Sequence, residues 1–232
     1  MDFSGRPVVV TGGTGALGAA VVDVLIHHGA RCIVPFVHLS QAQRFAHREH
    51  ENVTLIAVAD LSDEVDVAKV YAGATPWASI HIAGGFAAGS VAETDKAALM
   101  AQIDSNLVSC FLCCRAAVNA MRAANKAGRI VNVAARAALE PRLGAGMSAY
   151  TVAKSGVAAL TVALAEEVAE HGILVNAVAP SIMDTPANRK AMPGRDFDAW
   201  PKVEEVAATI AFLASPENKV TRGAVVPVYG KA

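Results

Sequence analysis

Short apolar runs alternate with longer helical patterns from one end of the chain to the other. The runs rich in β-branched residues are 7–11 (PVVVT), 31–37 (RCIVPFV), 53–58 (VTLIAV), 78–83 (ASIHIA), 129–134 (RIVNVA), 173–178 (ILVNAV) and 224–228 (AVVPV). Between them, apolar spacing near 3.6 residues predicts helices near 16–28, 40–50, 63–72, 94–124, 148–171 and 203–214. The strand segments are nearly continuous in apolar residues rather than alternating, the pattern of strands covered on both faces. Alternating strand and helix then predicts right-handed βαβ crossovers. The expected fold is α/β: a single doubly wound Rossmann domain with a seven-stranded, mostly parallel sheet and helices on both faces. No repeat, low-complexity tract or linker breaks the pattern, so residues 1–232 read as one domain. Only 184–202 (DTPANRKAMPGRDFDAWPK) lacks periodicity; its three prolines and mixed charge predict a mobile loop acting as a substrate lid.

Composition narrows the partners. At 232 residues, 53% hydrophobic and 18% charged, the chain buries a sizeable core and is excluded from the disordered class. A formal net charge of -1 argues against nucleic acid and against an anionic membrane surface. No uninterrupted apolar run reaches the ~18 residues of a spanning helix. Residues 1–7 (MDFSGRP) lack the basic start and apolar stretch of a signal peptide, so a cytoplasmic location is expected. Cys110, Cys113 and Cys114 share a helix face by spacing, yet no further ligand lies near them in sequence. They read as small buried apolar residues, and no metal site is expected.

Chemistry begins after the first strand. Gly13, Gly15 and Gly18 make G-x-G-x-x-G between a strand and an apolar helix, the context in which backbone amides cradle a pyrophosphate at a helix N-terminus. This points to a dinucleotide, with Gly12, Thr14, Gly15, Ala16 and Leu17 as candidate binding residues. The usual next feature is an acid ~20 residues on, which takes the adenosine ribose. Here the second strand ends Val34-Pro35-Phe36-Val37-His38, with no acid, and the nearest cations for a 2′-phosphate are His38 and Arg44. The missing carboxylate tilts NAD(P)(H) toward NADP(H).

Tyr150 and Lys154 are four apart and would point to one side of a helix. A phenol with a free pKa of ~10 exchanges protons poorly near neutrality; bringing it to about 7 takes roughly 4 kcal/mol. A neighbouring ammonium and a cationic nicotinamide act in that direction.

With these residues in view, the chain resembles the short-chain dehydrogenase/reductases over essentially its full length. Ala59-Asp60-Leu61 resembles their adenine-contacting segment, Asn106 the helix Asn that organises a catalytic water and the Lys, and Tyr150 with Lys154 their catalytic pair. The block 175–186 (VNAVAPSIMDTP) resembles the stretch beside the nicotinamide, adding Pro180, Ile182 and Thr185; Ala83 and Gly84 follow the fourth strand. The resemblance implies an NAD(P)-dependent oxidoreductase that passes hydride to a small carbonyl or conjugated imine, with a Tyr proton relay. It also implies a homodimer or homotetramer.

Departures from the family pattern are informative. Members usually place a carbonyl-binding Ser after the fifth strand; here the stretch is Val133-Ala134-Ala135-Arg136-Ala137-Ala138. Ser148 lies nearest to Tyr150 and reads as a helix cap. Dihydropteridine reductases also lack that Ser, share an Ala-Gly-Gly turn like Ala83-Gly84-Gly85, and resemble this chain through 184–193 and Trp200. Two alternatives therefore stand beside a carbonyl reductase: a quinonoid pterin reductase, and a nucleotide-binding regulator without turnover. His47 and His50 read as the solvated face of a helix, His81 as a structural residue bonding nearby backbone, and Arg136 and Arg189 as solvated residues bordering the cleft.

Overall fold

The computed structural model describes residues 1–232. Its strands are β1 (Pro7–Thr11), β2 (Arg31–Phe36), β3 (Val53–Ala57), β4 (Ala78–His81), β5 (Gly128–Val133), β6 (Ile173–Pro180) and β7 (Val225–Val228). They form one sheet in the order β3-β2-β1-β4-β5-β6-β7, and every neighbouring pair is parallel. The chain winds outward from β1 to β3, returns to pair β4 with β1, and winds outward again. The reversal opens a crevice at the C-terminal ends of β1 and β4, where such sheets bind ligands. Register aligns Thr11 with His81 and His81 with Asn132 across that crevice.

Each face of the sheet has its own core, as side chains alternate along a strand. Val9 joins the layer under α3 (Glu64–Tyr71), α5 (Ser109–Ala123) and α7 (Ser148–Glu167). Val8 and Val10 join the opposite layer, under α1 (Ala16–His27) and α9 (Val203–Ala214). The inner strands β1, β4, β5 and β6 are buried on both faces, as the continuous apolar runs predicted. The edge strands β3 and β7 are only half-buried, because each has a neighbour on one side only.

Four local expectations are revised. The helix expected at 40–50 stops as α2 (Leu39–Arg44), because Phe45 turns into the core at 3% exposure. His47 and His50 thus leave the helix; His47 faces Asp23, and His50 Nδ1 accepts from Asn52 N. The helix expected at 94–124 is α4 (Lys96–Ile103) and α5, joined by a π-helical turn at Asp104–Val108. Segment 184–202 is built rather than irregular. Thr185 caps α8 (Pro186–Ala191) by accepting from Asn188 N, and a 3-10 turn, Phe197–Ala199, leads to the buried Trp200. The Asp184 carboxylate receives Arg189 and Lys202 across the segment. Fourth, Lys96–Ala123 and Ser148–Glu167 are long and apolar enough to cross a membrane by length and composition, which a search for unbroken apolar runs passes over. Here they pack on each other and on β4, β5 and β6.

Candidate active site

The first turn is shaped for an anion. A Cβ on Gly12, at φ +68°, would lie 2.7 Å from Ala83 N, and one on Gly18 would lie 2.1 Å from Gly12 O. Only glycine lets strand, turn and helix approach this closely. Gly15 occupies the N-cap of α1 without a capping side chain, so the first N–H groups of α1 stay free for phosphate oxygens. A cleft of about 430 Å³ runs from this turn past β2, with Gly12, Thr14, Gly15, Ala16, Leu17, Asp60, Leu61, Ala83 and Gly84 all on its wall. Phe36, Val37, His38 and Gln41 line its far end, and no carboxylate stands there. Asp60 itself is exposed and accepts from Ser62 N and Oγ, while Asp66 holds the turn by accepting from Ala59 N and Asp60 N. The residues present fit a dinucleotide.

The cleft opens into a cavity of about 220 Å³ between β4, β5, α7 and the end of β6. Tyr150, Lys154 and Asn106 all line it. Tyr150 and Lys154 stand one turn apart on α7, with Nζ 5.9 Å from the centre of the phenol ring. Lys154 is buried, and its ammonium donates to Val133 O at 2.8 Å. Burial pulls its pKa down to about 8 and pushes that of Tyr150 up to about 12. So the protein alone does not bring the phenol toward 7; with the ammonium tied to a carbonyl, desolvation dominates. Phe86 packs edge-on against Tyr150, ring centres 5.1 Å apart, and is itself 63% exposed at the mouth.

Asn106 sits in the π-helical turn, a distortion common at functional sites. Its amide nitrogen donates to Gly85 O at 2.9 Å and Gln102 O at 3.0 Å, while its buried Oδ1 has no protein partner. That oxygen faces Gly84, where a Cβ would lie only 2.4 Å away. Gly84 is the gap that lets the Asn106 carbonyl look into the cavity beside Lys154.

Pro180 lines the cavity, followed by Ser181 and Met183, which sequence reasoning missed; Ile182 and Thr185 line neither cavity. Ile182 is 45% exposed, and the Thr185 hydroxyl is committed to its cap. The wall facing Tyr150 is Val133, Ala134 and Ala135, with no hydroxyl. Ser148 is the first residue of α7 rather than its cap, which is Met147, and it makes no capping bond. Arg189 is exposed and Arg136 half-buried, and both are also held by carboxylates and rings. Arg136, which opens α6 (Arg136–Leu139), pairs with Glu140 and lies over Tyr229, and Arg189 pairs with Asp184 and lies over Phe197.

Residues 6–196 match the family model described as short chain dehydrogenase. The chain is a short-chain dehydrogenase/reductase. As such it is an NAD(P)-dependent oxidoreductase acting on a small molecule. It is 32% identical to 2,3-dihydroxy-2,3-dihydro-p-cumate dehydrogenase of Pseudomonas putida, covering 99% of this chain and 95% of that one. It is 34% identical to cis-4-hydroxycyclohexanecarboxylate dehydrogenase of Sinomonas cyclohexanicum, covering 98% and 96%. The crystal structure of a short-chain dehydrogenase/reductase family oxidoreductase from Burkholderia thailandensis superposes with a TM-score of 0.88 at 25% identity, over 98% of this chain and 92% of that one.

Behind Lys154 and Asn106 lies a second polar group, which the sequence did not reveal. His81 does not bond backbone; its Nε2 pairs with Ser79 Oγ and its Nδ1 with Asn132 Oδ1, both at 2.8 Å. Cys110 and Cys114 turn toward the same Asn132 oxygen, whereas Cys113 turns to Tyr71.

Proposed function

We propose that the chain reduces a planar conjugated ring, of the quinonoid dihydropterin type, with NADPH as hydride source. The observation that carries this reading is the Val133-Ala134-Ala135 wall, whose side chains offer no hydrogen-bond donor to a ketone oxygen. An isolated carbonyl needs such a donor in a dry site, where one is typically worth about 2.7–4 kcal/mol. A conjugated imine is polarised by its own ring and needs only a proton.

A bound nicotinamide supplies the hydride. Tyr150 supplies the proton. Burial keeps its phenol neutral, the form that donates in a reduction rather than the one that accepts in an oxidation. Lys154 would hold the ribose hydroxyls of the cofactor and favour loss of the phenol's proton by its charge. The Asn106 carbonyl holds the water through which Lys154 is reprotonated. Gly12, Thr14 and the free amides of α1 hold the pyrophosphate, and the 184–202 segment with Met183 covers the ring. The far end of the cleft, with His38 and Gln41 and no acid, accepts a 2′-phosphate without repulsion.

A second reading rests on the relatives, whose names describe dehydrogenases of ring-borne alcohols. In it the chain oxidises a secondary alcohol on a small ring. The test is initial rates with NADPH and NADH against quinonoid dihydropterin and simple ketones, and with NADP+ and NAD+ against cyclic diols, for the native chain and Ala135→Ser. The pterin-type reading expects pterin turnover that stays flat or falls in Ala135→Ser. Vigorous turnover of ketones or cyclic alcohols by the native chain, without pterin turnover, overturns it.

A further inference from the structure

We propose that His81 Nδ1, Cys110 Sγ, Cys114 Sγ and Asn132 Oδ1 form a four-coordinate site for one zinc-class cation, closed and structural, behind the catalytic wall. The ligand atoms of His81, Cys110 and Cys114 all lie within 4.8 Å of one another. Cys114 Sγ is 3.4 Å from His81 Nδ1, and Asn132 Oδ1 is 3.3 Å from Cys110 Sγ and 3.5 Å from Cys114 Sγ. A tetrahedral zinc with bonds of about 2.0–2.3 Å spans ligand pairs by about 3.3–3.8 Å. The His81–Asn132 edge, a hydrogen bond of 2.8 Å, opens to admit the ion.

The outer sides of the ligands are already tied down. His81 Nε2 reaches Ser79 Oγ, and Ser79 reaches Tyr71 OH at 2.7 Å, so the imidazole is oriented as metal-bound imidazoles are. Asn132 Nδ2 donates to Thr161 Oγ1 at 2.9 Å, which turns its oxygen inward. Without an ion this arrangement is crowded. The imidazole N–H and two thiols all aim at one amide oxygen, which has two lone pairs. A divalent cation relieves the crowding. Both thiol protons leave to solvent and the thiolates balance the charge. The imidazole proton moves to Nε2, Ser79 then donates to Tyr71, and the Tyr71 hydroxyl turns to Cys113.

The two cysteines matter as a pair on successive turns of α5, facing two strand ends that only the sheet register brings together. All four ligands are buried, so the ion enters as the chain folds. Once bound it fastens β4, β5 and α5 directly behind Val133 and Gly84.

The full-length reduced chain, refolded with Co2+ under anaerobic conditions and dialysed, tests this. The expected result is one Co2+ per chain, with thiolate-to-metal charge transfer and tetrahedral d–d bands, and a Tm that rises when Zn2+ replaces Co2+. Cys110→Ser and Cys114→Ser each lose the bands, whereas Cys113→Ser and Cys32→Ser keep them. Should the first two variants fail to refold, alkylation decides in the native chain. Zn2+ would protect two more thiols than in the metal-free chain when both are briefly opened in mild denaturant. No charge-transfer band in the native chain, a band that survives loss of Cys110 or Cys114, or a band lost with Cys113 overturns the site.

Discussion

Alanine at Gly84 should damage catalysis far more than alanine one residue later. The added methyl carbon would lie 2.4 Å from Asn106 Oδ1, about 1 Å inside ordinary contact, which begins near 3.4 Å. Asn106 has no easy retreat, because its amide nitrogen is held by Gly85 O and Gln102 O within a π-helical turn. Neither Gly84 nor Gly85 has a positive φ, so backbone strain does not enter. Overpacking of this kind costs about 1–3 kcal/mol. For a chain of this size that lowers Tm by about 2–12 °C. The rate should suffer more, since a displacement of ~1 Å near reacting groups costs on the order of 10²-fold. At Gly85 the same methyl meets only Ser105 Oγ at 3.6 Å, an ordinary contact. The assay is kcat on whichever substrate the native chain turns over, with thermal unfolding on the same samples. Equal behaviour of Gly84→Ala and Gly85→Ala would refute the argument that Gly84 exists to make room for Asn106.

The layering was legible because continuous apolar strands and the single residues of β1 carry it: Val9 serves one core, Val8 and Val10 the other. The glycine turn between β1 and α1 was legible from Gly13, Gly15 and Gly18 in their strand–helix context, and the placing of Tyr150 and Lys154 on one side of α7 from a one-turn spacing. What escaped depends on register or on three-dimensional packing. His81 and Asn132 are 51 residues apart and meet only because β4 and β5 pair at that level. Cys113 looked equivalent to Cys114 by helical spacing, but a step of one residue turns it onto Tyr71. The order within 184–202 was hidden because side-chain pairs to Asp184, rather than apolar periodicity, hold it. The phenol's high pKa was missed because spacing to Lys154 says nothing of where Nζ points; it points to Val133 O.

Tyr150→Phe should keep cofactor affinity, read by NAD(P)H fluorescence, and lose about 10²–10⁴-fold in turnover, the usual worth of a positioned proton donor. Lys154→Ala should lose both; equal cofactor binding in the two variants would show the roles misassigned. Phe111, Val152 and Val162 stand 50%, 57% and 48% exposed on α5 and α7, so light scattering should find a homodimer or homotetramer at micromolar concentration, and a monomer would refute it. The last expectation concerns acid and the Asp184 clamp. Hydrogen bonds from Arg189, then Lys202, hold the Asp184 carboxyl below its usual 3.8. A carboxyl depressed in the folded chain stabilises it fully above the unfolded value and loses that contribution as pH falls through the folded one. The clamp is therefore at full strength at neutrality and weakens only as pH drops below about 4. Asp66, lowered to about 2 chiefly by Lys69, titrates in the same window and must be allowed for. Asp184→Asn should thus lower Tm at pH 7 and flatten the fall in Tm below pH 4, whereas Asp66→Asn flattens that fall without loosening the 184–202 segment to proteolysis. If Asp184→Asn lowers Tm by the same amount at pH 3 as at pH 7, the carboxylate's charge is not what holds the segment.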